Sequence, residues 1–392
     1  IMKKITDNIF YCGVEHHDRR LFDQLVPLPC GTTYNSYLVK GSEKTALIDT
    51  VYPEKAEELI NKLKEAGINK IDYIICNHGE QDHSGSLNEI LELYPEAVVV
   101  TNAKCKEFIM EMLHVDESKF KVITDQETLS LGNITLQFLI SPWVHWPDTM
   151  FTYVIEDKAL FTTDFLGAHY PTSEKNIDKS GDKELTEAAK RYYAEIMMPF
   201  RTFCAKYVKK IRDLNVKYLL PSHGPYYSNP DFILDTYEEW TSDTPKNLVV
   251  IPYVSMYGST ELLVDYLKQS LEEKGVEVKL FDLVKSDVGE LAMELVDAAT
   301  IVVGTSMVLA GPHPSAINGA YLINALRPKA KYFSVVGSYG WGGNMENKLA
   351  EILGNLKVEK LGSVIVKGKP TNDDFIKVDE LAEKIAEKHK SL

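Results

Sequence analysis

Five short apolar runs alternate with five helical stretches over the last third of the chain, and no other feature of the sequence restricts its folding as much. The runs fall at 248–254, 276–280, 300–304, 331–337 and 361–366, with helical stretches at about 259–274, 287–298, 315–326, 345–356 and 376–389. Strands that read as unbroken apolar segments are covered on both faces, and helical crossovers between such strands require them to run parallel. Residues 246–392 are therefore expected to form a doubly wound α/β domain with a parallel sheet.

The boundary before it falls at Thr241-Ser242-Asp243-Thr244-Pro245-Lys246. Asp231 to Trp240 has helical periodicity, which Pro245 cannot continue. Residues 1–245 are expected to form a second kind of α/β domain. Tyr37-Leu38-Val39 and Thr45 to Asp49 flank Gly41-Ser42 as a hairpin would, and Pro53 to Ala66 is helical up to Gly67. Ile71 to Cys76 and Ala97 to Val100 are short strands around a helix at Leu87 to Leu93. Further strands are expected at Leu129 to Ile140, Met150 to Ile155 and Ala159 to Thr163. Several strands in a row, interrupted by helices, suit a layered αββα sandwich.

Composition narrows the function classes. The 392 residues are 44% hydrophobic and 26% charged, as expected of a folded, water-soluble chain. No apolar run approaches the ~20 residues that span a bilayer, and no signal peptide is expected from Ile1-Met2-Lys3-Lys4-Ile5, which has no apolar stretch. A formal net charge of −14 disfavours nucleic-acid and anionic-membrane partners. Cys12, Cys30, Cys76, Cys105 and Cys204 contain no C-x-x-C pair, which excludes a zinc knuckle, a rubredoxin-type iron site and a thioredoxin motif. Their odd, scattered set suits reduced thiols in a cytoplasm.

The densest chemistry lies in His78-Gly79-Glu80-Gln81-Asp82-His83, which places four metal-ligating side chains just after a strand. His145, Asp164 and His223 each follow a later strand-like segment, so all seven can meet at one sheet edge. A lone histidine is normally a satisfied structural residue, the reading given to His114 and His389. That reading fails for the cluster, because so many buried ionisable groups without a metal would be costly.

The second domain has three loops of binding character. Ser255-Met256-Tyr257-Gly258-Ser259-Thr260 follows its first strand and opens a helix, where backbone N–H groups can wrap a phosphate. It has neither the lysine of a P-loop nor a G-x-G-x-x-G dinucleotide fingerprint. Gly304-Thr305-Ser306-Met307-Val308-Leu309-Ala310-Gly311-Pro312 and Ser338-Tyr339-Gly340-Trp341-Gly342-Gly343 follow the third and fourth strands, where doubly wound sheets bind ligands. Tyr339 and Trp341 could flank an isoalloxazine ring.

The metal pattern resembles that of the metallo-β-lactamase fold, H-x-H-x-D-H, with Glu80 in place of the second histidine. A carboxylate there makes the site harder and more anionic, favouring iron or manganese over zinc. By ligand type, His78, Glu80 and His145 would hold one metal, Asp82, His83 and His223 the other, and Asp164 would bridge. With a flavodoxin-like domain behind it, the chain resembles the flavodiiron proteins (A-type flavoproteins) over nearly its whole length. The resemblance implies FMN, a two-iron centre and reduction of O2 to water, of NO to N2O, or both. It also implies a head-to-tail homodimer. With no C-x-x-C pair and no dinucleotide fingerprint, the electron donor is expected to be a separate carrier such as rubredoxin.

Two departures from the family pattern stand out. Many members carry a histidine near the metals in the loop that here reads Phe22-Asp23-Gln24-Leu25-Val26-Pro27-Leu28-Pro29-Cys30. Ser306-Met307-Val308-Leu309-Ala310 stands where the family often has Pro, Thr and Asn. Tyr192 or Tyr193, and His169, are candidates for hydrogen-bonding groups beside the metals, with core packing as the competing role. Three other readings of the chain are a zinc hydrolase of the lactamase fold with a flavodoxin-like accessory domain, an electron carrier that uses FMN alone, and a nucleic-acid-processing lactamase relative, which the net charge of −14 and the flavin loops disfavour most.

Overall fold

A computed structural model describes residues 2–171 and 182–392. The chain divides into two units, one of residues 1–193 and 200–241, the other of residues 194–199 and 242–392.

The first unit is built on two sheets. One orders its strands Lys3–Lys4, Ile9–Tyr11, Tyr37–Lys40, Thr45–Ile48, Tyr73–Ile75, Val98–Asn102 and Phe120–Ile123. The other orders Thr128–Ser130, Thr135–Ile140, Met150–Val154, Ala159–Thr163 and Tyr218–Pro221. Alternation along the strands assigns the faces. Val39, Ala46, Ile48, Ile75 and Val100 of the first sheet join Leu136, Phe138, Val154, Phe161 and Leu220 of the second in one buried cluster. Leu38, Leu47, Ile74 and Val99 point the other way, onto Leu59, Leu63, Leu87, Ile90 and Ile109 of the covering helices. Tyr207 of the helix Arg201–Leu214 packs edge-on to Phe151, on the outer side of the second sheet. This is the αββα sandwich expected from the sequence. The expected strand over 129–140 is a hairpin, because Gly132 takes a φ of 101° and reverses the chain between Ser130 and Thr135.

The second unit is a parallel sheet in the order Glu277–Asp282, Leu248–Val254, Thr300–Val308, Tyr332–Tyr339, Glu359–Lys367. In chain order this is 2-1-3-4-5, the flavodoxin arrangement. All five sequence-expected strands and helices are present. One expectation is corrected: Thr305, Ser306 and Met307 do not lie in a loop. The third strand continues to Val308, reverses at Leu309 and Ala310 (φ 53° and 58°) and pairs antiparallel with Gly311–Pro312. Among the described residues, no helix is long and apolar enough to cross a membrane.

His389 and His114 have the structural roles expected of isolated histidines. His114 caps the helix Ala103–Leu113 in the left-handed conformation. His389 is buried, with Nδ1 2.8 Å from Asn247 Oδ1 and Nε2 2.7 Å from Thr300 Oγ1. A neutral ring satisfies both contacts by donating to the amide oxygen and accepting from the hydroxyl. Burial pushes its pKa from an ordinary 6.5 down to about 4. The unfolded chain therefore binds a proton that the folded one refuses, so stability is full above about pH 6.5 and declines as pH falls towards 4. Replacing His389→Gln should flatten the acid-side fall of the melting temperature of this unit between pH 6.5 and pH 4; an unchanged slope would contradict this assignment.

Candidate metal centre

The strand ends bring the predicted residues together. Ala159–Thr163 and Tyr218–Pro221 are parallel neighbours, with Thr163 opposite Pro221, so Asp164 and His223 leave the sheet side by side. Thr135–Ile140 runs in the same direction, two antiparallel steps away, and delivers His145 to the same edge. From the facing sheet, Tyr73–Ile75 leads to His78 and Glu80, and the single helical turn Gln81–Ser84 presents Asp82 and His83.

All seven side chains fall into two adjoining groups. His78, Glu80, His145 and Asp164 form one, and Asp82, His83, Asp164 and His223 the other, with the ligand atoms of each within 4.8 Å of one another. Asp164 belongs to both. Its Oδ1 is 2.9 Å from His83 Nε2 and 3.3 Å from His223 Nε2, while Oδ2 is 3.4 Å from His78 Nε2 and 3.5 Å from His145 Nε2. The second group is closed, its side chains 6% exposed or less; Glu80 and His145 keep 19% and 17% and form the accessible side.

Further residues orient the ligands. Asp148, fully buried, lies with both oxygens 3.2 Å from His78 Nδ1 and accepts the Gly79 N–H at 2.7 Å. His223 donates from Nδ1 to the Thr33 carbonyl at 2.6 Å. Both rings thus turn Nε2 inward, the arrangement by which protein groups fix a metal-binding imidazole. Asp49 accepts from the Asn77 N–H at 2.8 Å and from Asn77 Nδ2 at 2.9 Å, bracing the loop that carries His78; burial raises its pKa to about 6. Tyr192 donates its hydroxyl to Asp164 Oδ1 at 2.9 Å.

The electrostatics are those of a site that needs cations. Burial opposes charge on His145, His223 and Asp164. Even so, hydrogen bonds to Asp164 and Glu80 raise His145 to about 9, and hydrogen bonds to Asp164 and Asp82 raise His223 to about 10. Against the same burial, His83 and the other histidines hold Asp164 well below the usual carboxylate range. Asp82 Oδ1, His83 Nδ1 and Asp164 Oδ2 are buried with no hydrogen-bond partner among the described residues. Protons stand in for positive charge here, and metal ions in the two groups would answer both the charges and the orphaned oxygens.

Of the two adjacent tyrosines, only Tyr192 faces this site. Tyr193 was also a candidate for a role beside the metals, and the structure corrects that: successive helical residues point about 100° apart, and Tyr193 turns into the core, donating to the Trp240 carbonyl at 3.4 Å and packing on Tyr237. His169 does border the centre, its ring 5.1 Å from that of His223 and 4.8 Å from that of Tyr192. The loop without a histidine meets the same place with other groups. The Phe22 ring lies 4.7 Å from His169 and 5.7 Å from His223, and Asp23 is raised to about 6 by burial and then by Glu80 and Asp82.

In the second unit, the first-strand loop and the ends of the third and fourth strands are tied together by hydroxyls. Buried Thr260 Oγ1 lies 3.1 Å from Ser306 Oγ and 2.9 Å from Ser338 Oγ, and Ser306 accepts the Met256 N–H at 3.2 Å. Ser255 accepts the Glu261 N–H at 3.2 Å, and Gly258, at a φ of 85°, starts the helix Ser259–Glu273. The helix N-terminus at Ser259 and Thr260 is the anion-binding end. Tyr257 and Trp341 are 92% and 72% exposed, Tyr339 ends the fourth strand, and Gly340, Gly342 and Gly343 continue from it, the last two at positive φ. Thr305 is buried and donates to the Ser306 carbonyl. Met307 packs over Gly343. Hydroxyls, a helix N-terminus and flat aromatic rings at one strand edge fit a flavin mononucleotide.

A lactamase-like unit with paired His/carboxylate groups, in one chain with a flavodoxin-like unit, defines a metal-dependent flavoprotein oxidoreductase. Comparison with known proteins gives the same result. Residues 32–224 match the ODP family beta lactamase and residues 251–388 match flavodoxin. The chain is 35% identical over 389 residues to a nitric oxide reductase of Moorella thermoacetica, covering 97% of each. It is 30% identical over 399 residues to a coenzyme F420H(2) oxidase of Methanothermobacter marburgensis, covering 98% of each. Among solved structures, rubredoxin oxygen:oxidoreductase from Desulfovibrio gigas superposes with a TM-score of 0.95 at 31% identity, covering 100% of this chain and 99% of that one. The chain belongs to the flavodiiron protein family.

Proposed function

We propose that the protein reduces O2 to water and NO to N2O at a pair of iron ions, with electrons passed through FMN. When bound, the two ferrous ions and the reduced flavin supply the electrons and the Lewis acidity for that chemistry. His78, Glu80 and His145 would hold one iron, Asp82, His83 and His223 the other, and Asp164 both. The observation that carries this reading is the division of Asp164's two oxygens between the groups. A single carboxylate shared in this way would serve both cations. Asp148 and the Thr33 carbonyl keep two imidazoles oriented, Tyr192 steadies the shared carboxylate, and the accessible edge at Glu80 and His145 admits a diatomic gas. Glu80 supports iron over zinc, because it replaces a soft nitrogen donor with a hard anionic oxygen.

Ser255, Met256, Tyr257, Gly258, Ser259 and Thr260 would cradle the FMN phosphate, with Thr305, Ser306, Met307 and Ser338 to Gly343 around the ring. A separate carrier of rubredoxin type delivers electrons in the cytoplasm, in keeping with five free cysteines. The working assembly is a head-to-tail homodimer in which the flavin of one subunit serves the metals of the other. Anaerobic stopped-flow of the reduced, iron- and FMN-loaded protein tests the reading. Reoxidation of the flavin by both O2 and NO, in a protein that sediments as a dimer and is re-reduced by rubredoxin, is expected. Two zinc ions with no iron and no gas consumption would favour the hydrolase, and rapid turnover on NADH alone would contradict the separate donor.

A further inference from the structure

Nε2 of His169, beside the metal groups but in neither of them, is a buried polar atom with no partner among the described residues. The chain turns sharply after Asp164, with the Gly167 N–H bonded to the Asp164 carbonyl at 3.0 Å and the Ala168 N–H to the His223 carbonyl at 3.2 Å, which folds His169 back under the centre. The residue is 6% exposed. Its ring is enclosed by Phe22 at 4.7 Å, Tyr192 at 4.8 Å and His223 at 5.1 Å, two of which belong to the site or bond directly to it. The other nitrogen, Nδ1, is held 2.8 Å from the Thr32 hydroxyl. A hydroxyl both donates and accepts, so Thr32 fixes the ring while leaving Nε2 free to present either a proton or a lone pair. Histidine buried for packing alone would satisfy both nitrogens, as His389 does; a ring nitrogen left unanswered at this depth needs a partner from outside the protein.

We propose that His169 is a ligand-positioning residue of the reaction site, its Nε2 hydrogen-bonding the small oxygen- or nitrogen-containing molecule held at the metal pair. The inference rests on the reading that the two groups hold iron. A fixed imidazole at the back wall would orient the bound molecule through a hydrogen bond that Phe22 cannot make.

Azide bound to the diferric protein is a suitable probe, because its affinity and its asymmetric stretch are read without turnover. In His169→Phe, which keeps an aromatic ring against Phe22 and Tyr192, iron and flavin contents should stay at the wild-type level. Azide should bind about tenfold more weakly, the loss of one hydrogen bond, and its stretch should lose the frequency shift that the wild type shows between H2O and D2O. His169→Gln, which restores a polar end, should recover part of the affinity. An azide affinity within about twofold of wild type, with an unaltered stretch and isotope shift, would overturn the proposal. Should the phenylalanine protein fail to load iron, His169→Gln decides: a displaced stretch supports the role and an unchanged one refutes it. A wild-type protein that takes up no iron would instead overturn the metal reading itself.

Discussion

Replacing Asp164→Ala should lower the iron content from about two to at most one per chain and slow the consumption of O2 and NO by at least about 100-fold. Asp164 is the one side chain common to both ligand groups among the described residues. Each of its oxygens faces two imidazoles, at 2.9 and 3.3 Å on one side and 3.4 and 3.5 Å on the other. No neighbour can replace it, since Glu80 and Asp82 each lie in a single group. The loss reaches beyond one bond. Four histidines would then be left with two carboxylates, so less negative charge would remain to offset two cations. FMN content should be unchanged, because the hydroxyl ties of Thr260 to Ser306 and Ser338 lie wholly in the other unit. Metal analysis and gas uptake on the same sample check this. Two irons and wild-type uptake would show that the carboxylate bridges nothing.

The second large effect should follow from a residue that binds no metal. Asp148 lies behind His78, 3.2 Å from its Nδ1 with both oxygens, and also accepts the Gly79 N–H at 2.7 Å. It sets the tautomer of His78 and braces the loop on which Glu80 stands. Removing such a partner typically costs about 10–100-fold in metal affinity. Asp148→Ala should therefore weaken the iron held by His78, Glu80 and His145 by that factor and leave the iron at Asp82, His83 and His223 in place. Asp148→Asn should fall between the two, since the amide keeps one accepting oxygen. Chelator competition resolves the two sites: one labile and one tight iron is the expected result, and equal loosening of both would contradict it.

The candidate metal-ligating residues were legible in the sequence; those that orient them were less so. His78, Glu80, Asp82 and His83 crowd into six positions, and His145, Asp164 and His223 each sit just past an apolar run, so strand-end geometry predicts a common edge. Asp148, Asp49 and Thr33 give no such signal. Their roles depend on partners far along the chain, 190 residues in the case of Thr33 and His223, and only the folded sheets bring these together. Tyr192 and Tyr193 show a different limit. The sequence offers either tyrosine as a neighbour of the site, but the choice between them depends on a helical phase that it does not reveal. The parallel sheet was read strand for strand because continuous apolar runs leave little ambiguity. Its third strand was cut short at Gly304, where the glycine and the hydroxyls after it look like a loop. In the fold, Thr305 to Val308 remain paired and carry Ser306 to Thr260. The opening strands, only two or three residues each between Lys3 and Tyr34, are too short to show any periodicity.

In the proposed centre, seven side chains would hold two iron ions, with one carboxylate common to both. Anomalous diffraction at the iron edge, on crystals of the iron-loaded protein, tests it most directly. Two peaks are expected, one among His78, Glu80 and His145 and one among Asp82, His83 and His223, with Asp164 beside both. A single peak, or none in a protein that still consumes O2 or NO, would contradict it.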